Sequence, residues 1–356
     1  MNLNNMPNVN HPWSLIFFAC LSIFISSCST PEPPLHQARL VTMGSFLDIS
    51  IWGTDQDTAE QAIGAIGSVF NDIHHNWHAW QPSRLTRINE QLAKGESIAL
   101  EADGIGIIQE AGRLARASDH LFNPAIGGLI ALWGFQSDDR PQGPPPAMST
   151  IAPLLSGNPT MDDLVITGTT LRSANHAVQL DFGAIAQGYA VDKAITLLRA
   201  RGINNAIVNA SGDVRAIGKH GNRPWRVGIR HPRESGVIAA VELADGESVV
   251  TSGDYERFFD HQGTRYHHII DPRTGYPAKG TTSVTVIHDN ATTADAAATA
   301  LVVAGPKLYS KIARQMGITQ VMLIDDKLTV YMTPAMERRL HFEIEPKPTV
   351  IISDLP

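Results

Sequence analysis

The sequence predicts an α+β fold, with mixed and antiparallel sheets packed against helices. Three observations carry that expectation. The segments mix hairpins with helices instead of repeating a strand–helix unit. No GxGxxG follows a strand. A composition of 43% hydrophobic and 18% charged residues suits a packed core and excludes global disorder. At 356 residues the chain has room for one large domain or two modest ones.

The elements follow in order. Arg39 to Trp52 partly alternates apolar with small or polar residues and reads as one strand. From Thr58 to Trp80, Ala59, Ala62, Ile63, Ile66, Val69, Phe70, Ile73 and Trp77 recur at helical spacing, with Asp57 or Thr58 as cap. Ser83 to Leu92 and Ala102 to Ala117 read as helices, and Phe122 to Phe135 as an Asn-Pro turn leading into a short apolar helix. Residues 136–159, with PQGPPP, read as an exposed insertion. Strands are expected at 164–166 and 177–181, then a helix over 183–201 closed by Gly202. Strands follow near 206–209, 225–229, 237–243, 249–251, 266–270 and 283–288. Helices over 293–303 and 306–316 precede a hairpin, 320–324 with 328–331, turning at Asp325-Asp326-Lys327.

The N-terminus reads as an export signal. Ser14 to Ile25 is an apolar run shorter than the roughly 20 residues a membrane span needs. No Lys or Arg precedes it. Ile25-Ser26-Ser27-Cys28 resembles a bacterial lipobox, which implies cleavage before Cys28 and acylation of that cysteine. The Pro-rich stretch after it suits a tether. The expected organisation is a signal peptide over 1–27, a lipidated Cys28 with tether over 28–38, one domain over 39–345 and a tail over 346–356. The expected location is the periplasmic face of a bacterial membrane, the inner membrane favoured.

Charge and missing motifs narrow the function. The 28 Lys and Arg stand against 35 Asp and Glu, for a net charge of −7 with no basic run, which excludes a nucleic-acid partner. The two cysteines, Cys20 and Cys28, are N-terminal, so the body holds no Cys-based metal site. There is no GxSxG elbow, no HExxH helix and no true P-loop. His74 and His78 share a helix face with His75 between them, open to a solvated, capping or zinc role.

Five segments carry candidate chemistry. Asp295 and Thr299 in TTADAAATAL lie four residues apart on one helix face, among alanines that allow close approach. Carboxylate and hydroxyl are hard ligands suited to magnesium or calcium; helix-end stabilisation is the alternative for Asp295. Asn209-Ala-Ser-Gly-Asp213 and Val250-Thr-Ser-Gly-Asp254 share a turn that can present N–H groups to an anion, or serve as a plain β-turn. Tyr266 to Gly275 concentrates His268, Asp271, Arg273 and Thr274 after a strand. Leu180 to Asp192 passes from strand to helix, with Asp181 at the strand end and Gly183 allowing a tight approach.

Together, MGSFLDISIW, WQPSRLTRIN, FNPAIGGLIALWGF, LDFGAIAQGYAVD, NASGDVRAIG with PWRVGIRHP, TSGDYERFF, YHHIIDPRTGYP and TTADAAATAL resemble the ApbE family in order and spacing, over about residues 40–335. That family comprises the FAD:protein FMN transferases. The resemblance implies an ApbE-like, T-fold-related architecture. It implies an enzyme that transfers FMN from FAD, with Mg2+, to a threonine or serine hydroxyl of an exported flavoprotein of the redox-pump-subunit type, releasing AMP. By motif position it implies Asp295, Thr299 and the carbonyl of Ala184 as metal ligands. Met43, Trp80, Leu121, Phe122, Asn123, Asp181, Gln187 and Ile270 match contacts to the flavin nucleotide, and His268 matches the catalytic histidine. Gln187 stands where Lys is common, Asn123 replaces a usual Asp, and Ala210-Ser211 replaces a glycine-rich pair. A magnesium-dependent FAD pyrophosphatase and a non-catalytic flavin-binding lipoprotein remain the alternatives.

Overall fold

The structure is a computed structural model that describes residues 33–354. The signal, lipobox and Cys28 readings lie outside the described residues. No helix among the described residues is long and apolar enough to cross a membrane.

The chain opens with β1 (Leu35–Thr42) and β2 (Ser45–Trp52), then α1 (Gln56–Trp77), α2 (Arg84–Ala93), β3 (Ile98–Ala99), α3 (Ala102–Ala117), α4 (Gly127–Leu132) and α5 (Met148–Ser156). After β4 (Leu164–Thr167) and β5 (Thr170–Ser173) comes α6 (Ala186–Ala200). A run of strands follows: β6 (Ala206–Ala210), β7 (Asp213–Ile217), β8 (Trp225–Arg230), β9 (Val237–Leu243), β10 (Ser248–Gly253), β11 (Phe258–His261), β12 (Thr264–His267) and β13 (Thr281–His288). The chain closes with α7 (Ala291–Gln315), β14 (Gln320–Asp325), β15 (Val330–Met332), α8 (Pro334–Glu337), β16 (His341–Phe342) and β17 (Val350–Ile352).

The expected α+β class holds. A nine-stranded sheet runs β1-β2-β6-β7-β10-β13-β14-β15-β17, antiparallel except for the β15–β17 pair. Its central strands are apolar on both faces, and the period of two sorts them. Val250, Val284, Val286, Val321 and Leu323 face the main core with α1, α6 and α7, whereas Val249, Ile287, Met322 and Ile324 join a second core under β8, β9 and α8. A third cluster gathers Ile126, Trp133, Phe135, Ile151, Phe259 and Ile270.

Several boundaries differ from the sequence reading. The segment 39–52 is a hairpin, because Met43 (φ 52°) and Gly44 (φ 70°) form a two-residue turn with both φ positive. The strand expected at 177–181 reduces to a bridge between Gln179 and Ile126, with Asp181 N–H donating to Pro124 O. The helix expected from 183 begins at Ala186, after a turn in which Ile185 and Ala186 both donate to Phe182 O. The helix expected to reach Trp80 stops at Trp77, where His78 turns extended. The 136–159 segment is not wholly exposed: it carries α5, whose Ile151 is buried. Short strands β3, β5, β7 and β11 had no periodic stretch long enough to reveal them. The break expected between 303 and 306 is real, with non-helical Gly305 (φ 66°, ψ 178°) kinking α7 before Pro306.

Candidate active site

The carboxylate end of the site is built by α7 and α6. Asn290 caps α7 by accepting from Thr293 N–H at 2.8 Å. Asp192, on α6, reinforces that end by accepting from the N–H groups of Ala291 and Thr292, both at 2.9 Å. One turn earlier on α6, a Cβ on Gly188 would come within 2.4 Å of Ala291 O and 2.9 Å of Asp295 Cβ, so only glycine allows this approach. Gly188 N–H donates to Asp295 Oδ2 at 3.2 Å. These contacts make α6 and α7 antiparallel. Ala184 lies two residues before α6 begins, on the side of Gly188 away from Asp192.

Asp295 is 7% exposed. Beside it stands a carboxylate whose metal or acid–base potential sequence reasoning missed. Asp213, the first residue of β7, is 5% exposed and its side chain touches that of Asp295. Burial pushes Asp295 up to about 7, with the negative Asp192 adding to the shift. Burial and the adjoining Asp295 raise Asp213 well above the carboxylate range. The signal in the sequence was its place: Asp213 follows the Ser211-Gly212 turn, both residues at positive φ, and opens a strand. Met43 sits on the neighbouring turn, tied across by a 2.5 Å hydrogen bond between Ser45 and Ser211 hydroxyls.

The second half of the site is aromatic and basic. His268 Nδ1 lies 3.2 Å from Arg257 O. A carbonyl only accepts, so Nδ1 carries the proton and Nε2 keeps its lone pair. Burial, with His267 and Arg257 adding positive charge, pulls His268 down to about 3, so the ring is neutral at ordinary pH. The Arg257 guanidinium stands 5.7 Å over the ring of Trp80, which is 36% exposed. Arg257 also donates to Phe135 O and Ser137 O, at 2.7 and 2.9 Å. The next residue, Gln136, donates to Asp181 at 2.7 Å, and Asp181 also accepts Gly183 N–H at 2.8 Å. The short stretch from Asp181 to Gly188 therefore joins the carboxylate cluster to the aromatic one.

The remaining expected residues are placed differently. Leu121, Phe122 and Ile270 bury their side chains in cores, which leaves only backbone for any contact with a nucleotide there. Asn123 spends its amide on the fold, donating to Pro159 O at 2.9 Å and accepting Ala125 N–H at 3.0 Å. Gln187 is half-buried in the first turn of α6. Asp254 is locked to Arg233 and Asp271 to Arg273, both as two-pronged pairs. His78 Nδ1 accepts from Gln81 N–H at 3.1 Å and so shapes a turn. Among the described residues, no group of three or more His, Cys, Asp and Glu side chains is arranged to hold a metal ion. Any cation site at Asp295 must therefore draw on hydroxyl and carbonyl oxygen as well.

Known proteins share this framework. The ApbE family model matches residues 43–323. A Rhodobacter capsulatus protein named FAD:protein FMN transferase is 44% identical over 334 residues, 92% of this chain and 62% of that protein. The chain thus spans under two thirds of that relative. A Treponema pallidum protein of the same name is 30% identical over 88% of this chain and 92% of its own length. Among solved structures, the ApbE protein of Thermotoga maritima superposes with a TM-score of 0.79 at 31% identity, covering 88% of this chain and all of that one. The apo flavinyl transferase ApbE of Pseudomonas stutzeri gives 0.77 at 29% identity, covering 86% and 97%. With the sequence model and the backbone agreeing over nearly all of the described chain, the protein belongs to the ApbE family.

Proposed function

We propose that this chain transfers FMN from FAD to a threonine or serine hydroxyl of an exported flavoprotein, with magnesium as the metal and AMP as the product. The observation that supports it most is the stretch from Asp181 to Gly188 in a chain of this family: Asp181 accepts from Gln136, between the Phe135 and Ser137 carbonyls that hold Arg257, and Gly188 N–H donates to the buried Asp295. In the reaction, the acceptor hydroxyl attacks the phosphorus of the FMN half, the bond to the AMP half breaks, and the hydroxyl proton is released.

The residues present fit a hard cation. Asp295 is a buried carboxylate with one backbone N–H as partner, Thr299 offers a hydroxyl on the same helix face, and Ala184 can offer its carbonyl. When bound, magnesium neutralises charge on the phosphoryl oxygens. The protein does the rest. Trp80 offers a ring face and Arg257 a fixed cation beside it. His268 Nε2 takes the hydroxyl proton. A base held at about 3 is weak alone, and the negative pyrophosphate of bound FAD would raise it toward usefulness.

The same site without an acceptor would hydrolyse FAD to FMN and AMP. Cys28, acylated after signal cleavage, would hold the domain at the periplasmic face, the inner membrane favoured. Incubation with FAD, magnesium and an acceptor domain tests the reading: flavin fluorescence that stays with the denatured acceptor supports transfer. Free FMN alone supports hydrolysis, and unchanged FAD supports a binding protein.

A further inference from the structure

We propose that Asp213 is a second carboxylate ligand of the divalent-cation site at Asp295. The inference deepens the proposed function and rests on its cation.

Asp213 is the one residue among the described carboxylates with a buried oxygen, Oδ2, that lacks a hydrogen-bond partner. The other buried aspartates are satisfied. Asp181 accepts from Gln136 and Gly183, Asp254 from Arg233, Asp271 from Arg273, and Asp325 from the N–H groups of Lys327 and Thr329. Buried carboxylate oxygens without partners are costly, and a bound cation is one of the few things that offsets that cost.

The fold fixes where that oxygen points. Val214 packs into the core under β8 and β9. By strand alternation Asp213 must face the opposite side, toward α6 and α7. There it meets Asp295. Arg215, two residues on and on the same face, could neutralise the pair, but its guanidinium is committed to Asp192, Gly246 O and Asp289 O. Two carboxylates therefore converge, one from the sheet and one from α7, with no protein cation between them. Thr299 stands one turn on from Asp295 along α7, and Ala184 just precedes α6, whose Gly188 N–H donates to Asp295. Two carboxylates with hydroxyl and carbonyl oxygen form a hard, all-oxygen donor set of the kind that magnesium, manganese or calcium takes. The pair could instead share a single proton, and that alternative gives a different result below.

The test is Mn2+ binding to the FAD-free, full-length protein, read by electron paramagnetic resonance, together with the rise in melting temperature on adding Mg2+ above neutral pH. Wild type should bind Mn2+ and melt higher with Mg2+. Asp213→Asn should weaken Mn2+ binding by about 10-fold or more. It should also lose the Mg2+-induced rise while its metal-free form melts at or above wild type, because a like-charge contact has been removed. Asp213→Ser, smaller and uncharged, gives the same readout if the amide does not fit. Unchanged Mn2+ affinity and an unchanged Mg2+ rise in both variants would overturn the proposal and leave the pair as a proton-sharing dyad. A wild type that binds no Mn2+, with or without FAD, would overturn the magnesium reading itself.

Discussion

Asp192 holds Thr292 by two hydrogen bonds, accepting its N–H at 2.9 Å and its hydroxyl at 2.6 Å. The same carboxylate pairs with Arg215 and accepts from Asn290 and Ala291. One side chain of α6 thereby fixes the start of α7, three residues before Asp295.

Removing that clamp should loosen the site from behind. Asp192→Ala leaves several donors and a guanidinium without their acceptor, at a cost of about 3 kcal/mol. Chemical denaturation should show that loss, and Mn2+ affinity should fall with it. A loss under about 1 kcal/mol would show that α7 starts without help from α6.

Trp80 should matter to the ligand more than to the fold. It is 36% exposed and lies under Arg257. Trp80→Ala should change stability by roughly 0.5 kcal/mol, as surface substitutions do, while clearly raising the FAD dissociation constant. Fluorescence titration and thermal melts on the same preparation separate the two. A stability collapse with unchanged affinity would make Trp80 a packing residue.

Phe122 should behave the opposite way. Its side chain is buried in the main core. Phe122→Ala should cost about 3–5 kcal/mol of stability. A stable variant with weakened FAD binding would mean that its ring, and not the backbone of its turn, meets the nucleotide.

The pH dependence follows from His268. Its pKa is lowered by burial to about 3, against about 6.5 when unfolded. The unfolded chain therefore binds the extra proton first, so stability is full above about 6.5 and falls as pH drops toward 3. His268→Gln should flatten that acid loss in melts taken between pH 7 and pH 4. An intact acid loss in the variant would assign it to other groups.

Much of this was legible in the sequence, for reasons that differ by residue. The Asp295–Thr299 helix could be read because alanine spacing and a start after a strand are local signals. Likewise Gly305-Pro306 announced its own break. The hairpin at Met43-Gly44 was hidden, since its turn lacks the usual Asn-Gly or Asp-Gly pair. Asp213 was visible as part of a turn, but its burial depends on β7 pairing with β10 and on Asp295 of α7, residues far along the chain. Asp192 looked like one more polar position on a helix, because its partners lie about a hundred residues away. Leu121 and Phe122 carried a family role by position, while their side chains answer to the core.

The mass of the acceptor distinguishes transfer from hydrolysis. Purified protein, FAD and magnesium are incubated with an acceptor domain, and the intact acceptor is weighed after denaturation. Transfer gives an acceptor heavier by one FMN less one water, with AMP appearing in equal amount and both products lost in Asp295→Asn. Free FMN and AMP beside an acceptor of unchanged mass would contradict it.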